Sequence, residues 1–382
     1  MTIRLGFYGA GLISGAHTWM LRDVDVAHEI VAVCDPDRER AATMASRFGA
    51  DVVEEDELLE LVDAVFITCW TSEHERLVAK AAAKQRAVFC EKPLAFDAPA
   101  AARMAASVEA AGVVNQVGLV LRTSPAFRVL KHLVADPRAG KTIAVVFRDD
   151  QYIPNQGLYG STWRTDPSLA GRGTLLEHSI HDVDMLQWIF GPVESVSATA
   201  RYHHGYDRID DLCAARLEFA SGPVVQLTSV WHDILERGSL RHVEVFCDRL
   251  YVKLEGDRLG PVRWQFTGEA EEMVDGEETL MFLRSAGDTM PSLEQNFLEA
   301  VRDGTAATPT LRDAVAAHAV VDALYASADG GGGVVKPQGS SRGAPLWAVP
   351  SPQDCSDRAP PSPPPSTRRD GASSCSAPGS RD

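Results

Sequence analysis

Ile3-Arg4-Leu5-Gly6-Phe7-Tyr8-Gly9-Ala10-Gly11-Leu12-Ile13-Ser14 is an apolar run of strand length that breaks into a glycine loop and then into a helix-like segment. The loop reads G-x-G-x-x-S, one residue short of the full dinucleotide fingerprint. Gly9 is expected to permit the tight turn. Gly11, with Leu12 and Ile13 after it, is expected to bring a pyrophosphate to the N–H groups and positive dipole end of the helix. Ser14 replaces the glycine that serves helix–strand packing and is small enough to make the loss mild. A second apolar run, Ile30–Cys34, ends in Asp35, 24 residues after Gly11. A carboxylate there can accept both ribose hydroxyls of NAD and would repel the 2′-phosphate of NADP, so NAD is expected over NADP, with Arg38 softening the preference. The competing reading is a nucleotide-free domain in which Asp35 only caps the next helix.

Outward from this segment, further apolar runs at Ala64–Cys69 and Ala87–Cys90 alternate with helix-like stretches at Leu12–Leu21, Arg38–Phe48, Glu73–Ala83 and Pro99–Ala111. That alternation predicts βαβ units on a doubly wound parallel sheet, a Rossmann domain over 1–122. After Arg122 the pattern changes. A helix at Ser124–Ala135 and a strand near Ile143–Phe147 precede a helix expected over Leu175–Phe190. Serial strand signals then run from Val193 to Leu254, so 123–335 is expected to be an α+β domain with an open, largely antiparallel sheet. Helices at Ser292–Asp303, with a Ser292/Gln295 capping box, and at Leu311–Ala328 are expected to close it. The segment 336–382 is Pro- and Ser-rich and is expected to be disordered.

With 53 acidic against 37 basic residues, the net charge of -16 excludes a phosphate backbone or an anionic lipid surface as a natural partner. The seven cysteines show no C-x-x-C spacing, so neither a zinc site nor a disulfide framework is expected, and a reducing cytoplasm fits best. The chain shows no signal-like or membrane-spanning apolar stretch.

Two further segments carry chemistry. Val88-Phe89-Cys90-Glu91-Lys92-Pro93 puts two charges at the carboxyl end of a buried strand, where ligands sit in open parallel sheets. Lys92 can hydrogen-bond a substrate hydroxyl and stabilise alkoxide character, while Glu91 holds the lysine or contacts the nicotinamide ribose. The plain alternative is a surface ion pair. In Leu175-Leu176-Glu177-His178-Ser179-Ile180-His181-Asp182-Val183-Asp184, Glu177, His181 and Asp184 share one face at helical pitch. A histidine flanked by carboxylates would favour its imidazolium form and suit a general acid/base. Gly171-Arg172-Gly173 before it offers a helix start where a sugar hydroxyl could meet backbone N–H groups. A metal held by His178, His181 and a carboxylate is the weaker reading, because no HExxH pattern is present. A solvated polar helix face is the other alternative.

Together these three pieces resemble the glucose-fructose oxidoreductase/inositol dehydrogenase (Gfo/Idh/MocA) family over residues 2–330. The family's glycine loop followed by histidine is similar to Gly9–His17, its Glu-Lys-Pro signature to Glu91-Lys92-Pro93, and its acid-x-x-x-His-x-x-Asp helix to Glu177–His181–Asp184. The resemblance implies an NAD-dependent oxidoreductase moving hydride to or from a carbon–oxygen centre of a sugar or cyclitol. It implies Lys92 and His181 as the catalytic pair, Glu177 in place of the family's usual Asp, and pairing as homodimers or homotetramers. The cofactor set it suggests is Gly9, Gly11, Leu12, Ile13, Asp35, Thr68, Trp70, His74, Glu91, Lys92 and Arg122. Trp70-Thr71 stands where the family often has Pro-Asn. Trp163 and Arg164 are expected to face substrate beside Lys92, Glu177 and His181, while His17 reads as structural. No metal is implied. One alternative within the resemblance is an NAD-retaining enzyme that cleaves or rearranges sugars; another, from a different class, is a non-catalytic NAD-binding or regulatory protein.

Overall fold

The computed structural model describes residues 2–289 and 291–338. The segment expected to be disordered lies, from residue 339 on, outside them. Sheet A contains β1 (Ile3–Tyr8), β2 (His28–Cys34), β3 (Asp51–Val52), β4 (Ala64–Ile67), β5 (Ala87–Cys90) and β6 (Asn115–Val117). All pair in parallel, in the order β3-β2-β1-β4-β5-β6. Helices α1 (Leu12–Met20), α2 (Arg38–Ala45), α3 (Glu55–Leu61), α4 (Thr71–Ala83) and α5 (Ala98–Ala111) lie between the strands. Because helices cover both faces, every residue of β4 and β5 is buried, and these strands read as continuous apolar runs. The chain order reverses at β1, so the carboxyl ends of β1 and β4 open the crevice where such sheets bind ligands.

After α6 (Pro125–Ala135), sheet B contains β7 (Thr142–Tyr152), β8 (Val193–Arg201), β9 (Leu212–Phe219), β10 (Val224–His232), β11 (Leu240–Cys247), β12 (Leu250–Glu255), β13 (Val262–Phe266) and β14 (Glu272–Val274). Their order is β14-β13-β12-β11-β7-β10-β9-β8, antiparallel except for the β7–β10 pair. Alternation along β10 and β12 sends one side chain in two to the core, as a half-buried sheet requires. Three short or broken helices cross above it: α7 (Pro167–Ala170), α8 (Thr174–Glu177) and α9 (Ile180–Phe190). The last helices among the described residues are α10 (Glu277–Ser285), α11 (Leu293–Asp303) and α12 (Leu311–Asp329).

The last two helices do not simply close the second layer. Leu293, Phe297 and Leu298 of α11 join the core of β1, with Ile3, Leu5 and Phe7. In α12, Leu311 and Ala314 pack on sheet A while Val320, Val321 and Leu324 pack on sheet B. Ser292 caps α11 through the Gln295 N–H, but the Gln295 side chain turns to Glu299 and Asp25, so the reciprocal half of the expected box is missing. The full box is at Thr310 and Asp313, where α12 begins. Among the described residues no helix is long and apolar enough to cross a membrane, and the five described cysteines are free thiols.

Candidate active site

Gly9 has φ +101°, and a Cβ there would sit 2.9 Å from the Thr68 backbone, so only glycine fits the turn. Around Gly11 the space is open, and α1 has no side-chain cap. Its first-turn N–H groups also lack carbonyl partners by helix geometry. Leu12 and Ile13 in that turn, and Trp70 at the end of β4, are exposed apolar side chains. An uncapped helix start in open space, ringed by uncovered apolar surface, fits a dinucleotide. Ser14 does more than tolerate close packing: its hydroxyl donates to Gly9 O at 2.9 Å and lies 2.9 Å from Thr68 Oγ1. Thr68 also donates to Tyr8 O at 3.0 Å and is buried, so it braces the loop from beneath. Asp35 accepts the Ala10 N–H at 2.7 Å and the Asp37 N–H at 2.8 Å. It does not cap α2, a task done by Asp37. Its carboxylate is held at the lip of the glycine loop with lone pairs to spare. Arg38 is bound to Glu54.

His74 and Arg122 were expected at the cofactor, and the structure directs both elsewhere. His74 is buried, with Nδ1 3.0 Å from Pro93 O and Nε2 3.3 Å from Cys69 O, and it ties together the loops after β4 and β5. Arg122 makes a two-pronged bond to Asp184, at 2.8 and 2.6 Å. Glu91 likewise turns inward, with Oε1 2.9 Å from His17 Nε2. Partners distant in sequence engage these side chains: backbone carbonyls for His74, the Asp184 carboxylate for Arg122 and the His17 imidazole for Glu91, a competition that linear spacing does not reveal.

Lys92 and the α8–α9 region do meet. Lys92 Nζ donates to the Glu177 carbonyl at 2.7 Å, bridging the end of β5 and the end of α8. The Glu177 carboxylate accepts from Arg164 Nε at 2.7 Å and from Thr71 at 3.4 Å. Arg164 stacks on Trp163, with its guanidinium carbon 4.4 Å from the ring centroid. Burial lowers the Lys92 pKa; Glu177 and Glu91 oppose the shift, and Arg164 and Arg241 add to it.

The single helix expected over Leu175–Phe190 is broken at His178-Ser179. Glu177, His181 and Asp184 therefore do not form one helix face, and neither carboxylate bonds His181. Burial, followed by the charges of Lys92, Arg241 and His178, holds the His181 imidazole well below its ordinary pKa. The ring is neutral rather than an imidazolium. Its Nδ1 is enclosed without a partner, leaving Nε2 as the nitrogen open to a substrate. The Glu177 carbonyl that holds Lys92 Nζ stands four residues before His181.

The helix start is not a free hydroxyl site either. Asp210 takes the N–H groups of Gly173, Thr174 and Leu175, and Tyr325 OH takes that of Leu176. A Cβ on Gly173 would lie 1.9 Å from Asp210 O. Gly173→Ala should therefore lower stability by at least ~1–3 kcal/mol, read as a fall in melting temperature. An unchanged melt would show that this backbone contact is not fixed.

No motif marks the buried network beneath the histidines. Arg241 on β11 donates to Asp182 at 2.6 Å and to Asp257 at 2.5 Å. His178 Nε2 lies 3.0 Å from Asp149 Oδ2 and 3.3 Å from Arg241 Nη2. Burial pushes the Asp182 pKa up to about 8 and raises that of Asp149.

A glycine loop, an acid after β2 and a lysine at the end of β5 define an NAD-binding oxidoreductase domain. Residues 3–119 match the oxidoreductase family with an NAD-binding Rossmann fold, and residues 127–252 match the Gfo/Idh/MocA C-terminal domain. The chain belongs to the Gfo/Idh/MocA family. It is 30% identical to 1,5-anhydro-D-fructose reductase of Ensifer adhaerens over 58% of this chain and 68% of that protein. It is 28% identical to inositol 2-dehydrogenase 3 of Saccharopolyspora erythraea over 85% and 94%. In fold it is similar to the WlbA dehydrogenase of Bordetella pertussis, solved with NADH and UDP-GlcNAcA: TM-score 0.76 and 21% identity, covering 88% of this chain and 97% of that one.

Proposed function

We propose that the protein oxidises a secondary hydroxyl of a cyclitol or sugar, or reduces the corresponding carbonyl, with Lys92 and His181 acting on the reacting oxygen. The observation that carries this reading is the bond from Lys92 Nζ, just after β5 of sheet A, to the Glu177 carbonyl at the end of α8, four residues before His181 on α9. Gly9 and Gly11 would hold the pyrophosphate of NAD, and Asp35 its adenosine ribose. When bound, the nicotinamide supplies the hydride acceptor or donor. Lys92 Nζ exchanges the Glu177 carbonyl for the substrate oxygen and donates a hydrogen bond to it, favouring alkoxide character. His181 Nε2, neutral beforehand, takes the hydroxyl proton. Arg164 and Thr71 fix Glu177, and Trp163 beside Arg164 offers a flat apolar wall for a sugar face. The named relatives, an inositol dehydrogenase and an anhydrofructose reductase, support a polyhydroxylated substrate.

Purified protein with NAD and a panel of cyclitols, sugars and sugar acids should release NADH with at least one polyol. Binding of NAD with no reduction by any member of the panel would contradict the reading.

We further propose a cytoplasmic homodimer or homotetramer. The free thiols support the compartment. The outward face of sheet B supports the pairing, with exposed Val146 and Phe246 on the neighbouring strands β7 and β11. Val146→Glu combined with Phe246→Glu should convert the oligomer to monomer in light scattering. An unchanged mass would place the interface elsewhere.

A further inference from the structure

Three buried charged side chains meet on the face of sheet A over β4 and β5 and take no part in the chemistry above. His17 comes from α1, Glu91 from the end of β5 and Glu294 from α11. His17 Nε2 is 2.9 Å from Glu91 Oε1, and Nδ1 is 2.8 Å from Glu294 Oε1. Ionised carboxylates only accept hydrogen bonds, so both ring nitrogens carry hydrogen and His17 is an imidazolium. Burial alone would depress its pKa, but the bonds to Glu294 and Glu91 prevail and hold it at about 9. The ring is wedged against Phe66 and Phe89, at centroid distances of 5.6 and 4.9 Å, and Phe297 of α11 closes the same aromatic cluster.

The far side of Glu91 faces the lysine. Glu91 Oε2 accepts the Lys92 backbone N–H at 3.1 Å. Gly118 presses on the carboxylate so closely that a Cβ there would stand 2.3 Å from Oε1. The residue immediately before Lys92 is thus clamped at both oxygens and from above. Buried ion triads are poor sources of stability compared with apolar side chains of the same volume, which points to a role other than packing.

We propose that His17 is a positioning residue for Lys92: it clamps the Glu91 carboxylate, which fixes the lysine backbone and presents a compensating negative charge to the ammonium. This rests on the reading of Lys92 as the residue that touches the substrate oxygen. The charged groups around Lys92 are Glu177 and Glu91, which favour its ammonium, and Arg164 and Arg241, which oppose it. Those around Glu91 are His17 and Lys92, and those around His17 are Glu91 and Glu294. Without the imidazolium, Glu91 loses the cation that keeps it ionised in a buried site and takes up a proton. Lys92 then loses one of its two negative partners, and its pKa falls.

The test compares His17→Gln, Glu91→Gln and the double variant. Competitive acetylation of Lys92 by acetic anhydride across pH, read by mass spectrometry, reports the lysine's ionisation and needs no substrate. Reduction of NAD with myo-inositol as probe reports kcat and KM. His17→Gln is expected to move the Lys92 acetylation midpoint to lower pH and to lower kcat by about 10- to 100-fold, with little change in the KM for NAD. The double variant should behave like Glu91→Gln alone, because His17 acts through Glu91. Should His17→Gln not yield folded protein, Glu294→Gln carries the test. It removes one of the carboxylates that keep the ring charged, and it should move the alkaline limb of kcat and the acetylation midpoint to lower pH. A fall in melting temperature with Lys92 acetylation and kcat unchanged would overturn the proposal, as would effects of His17→Gln and Glu91→Gln that multiply. A Lys92→Ala enzyme of full activity would instead overturn the reading of Lys92, while the acetylation profile still reported on the clamp.

Discussion

His181→Ala is expected to lower kcat by about 10²–10⁴-fold while NAD binding, followed by protein fluorescence, persists. The imidazole is buried, and burial and neighbouring cations keep it neutral, so at neutral pH it is a proton acceptor before substrate arrives. Removing it leaves no other neutral base named at this position, because His178 is engaged with Asp149 and Arg241. The glycine loop is on sheet A and does not depend on the ring. The sign of the pH dependence follows. A histidine with a pKa well below 6.5 loses its proton before the neutral range, so kcat/KM should show no acid limb between pH 6.5 and 8 from this group. A limb centred near pH 6.5 that disappears in His181→Ala would show that the ring titrates normally.

Lys92→Met should cost about 10²–10³-fold in kcat, the loss seen when one donor to a developing oxyanion is removed. Methionine keeps much of the apolar stem and removes only the donor. The remaining Glu177 carboxylate keeps its bonds to Arg164 and Thr71, so the substrate pocket should survive. Because burial lowers the lysine's pKa from 10.5, wild-type activity should fall on the alkaline side as the ammonium deprotonates, at a pH below 10.5. Lys92→Met should lack that limb. Retention of both the limb and the turnover would remove Lys92 from the chemistry.

Sheet A was largely legible because its strands are apolar on both faces and its loop has a backbone requirement, at Gly9, that only one residue type meets. What escaped is informative. Asp51–Val52 and Asn115–Val117 are too short to show a period. Helix α3 was missed although Glu55, Asp56 and Glu57 crowd its first turn, where the dipole favours them, because only Leu58 and Leu59 are buried behind it. In sheet B, β14 and the following α10 lie in a charged stretch with few apolar positions to set a period, whereas β13 does alternate, with Val262, Trp264 and Phe266 buried, over only five residues.

The candidate site was legible in its members and not in its partners. Lys92 and Glu177 were found by motif, and they touch. The two carboxylates expected to flank His181 bond elsewhere: Glu177 to Arg164 and Asp184 to Arg122. A helix drawn from periodicity alone could not include the break at His178-Ser179. His17 was visible but uninterpretable, because Glu294, the partner that makes it a doubly bonded imidazolium, lies 277 residues away.

A crystal structure of the NAD complex tests the central claim most directly. The account predicts the pyrophosphate at Gly9–Ile13 and nicotinamide C4 facing a space bounded by Lys92 Nζ and His181 Nε2. A dinucleotide bound with C4 turned away from both side chains would contradict it.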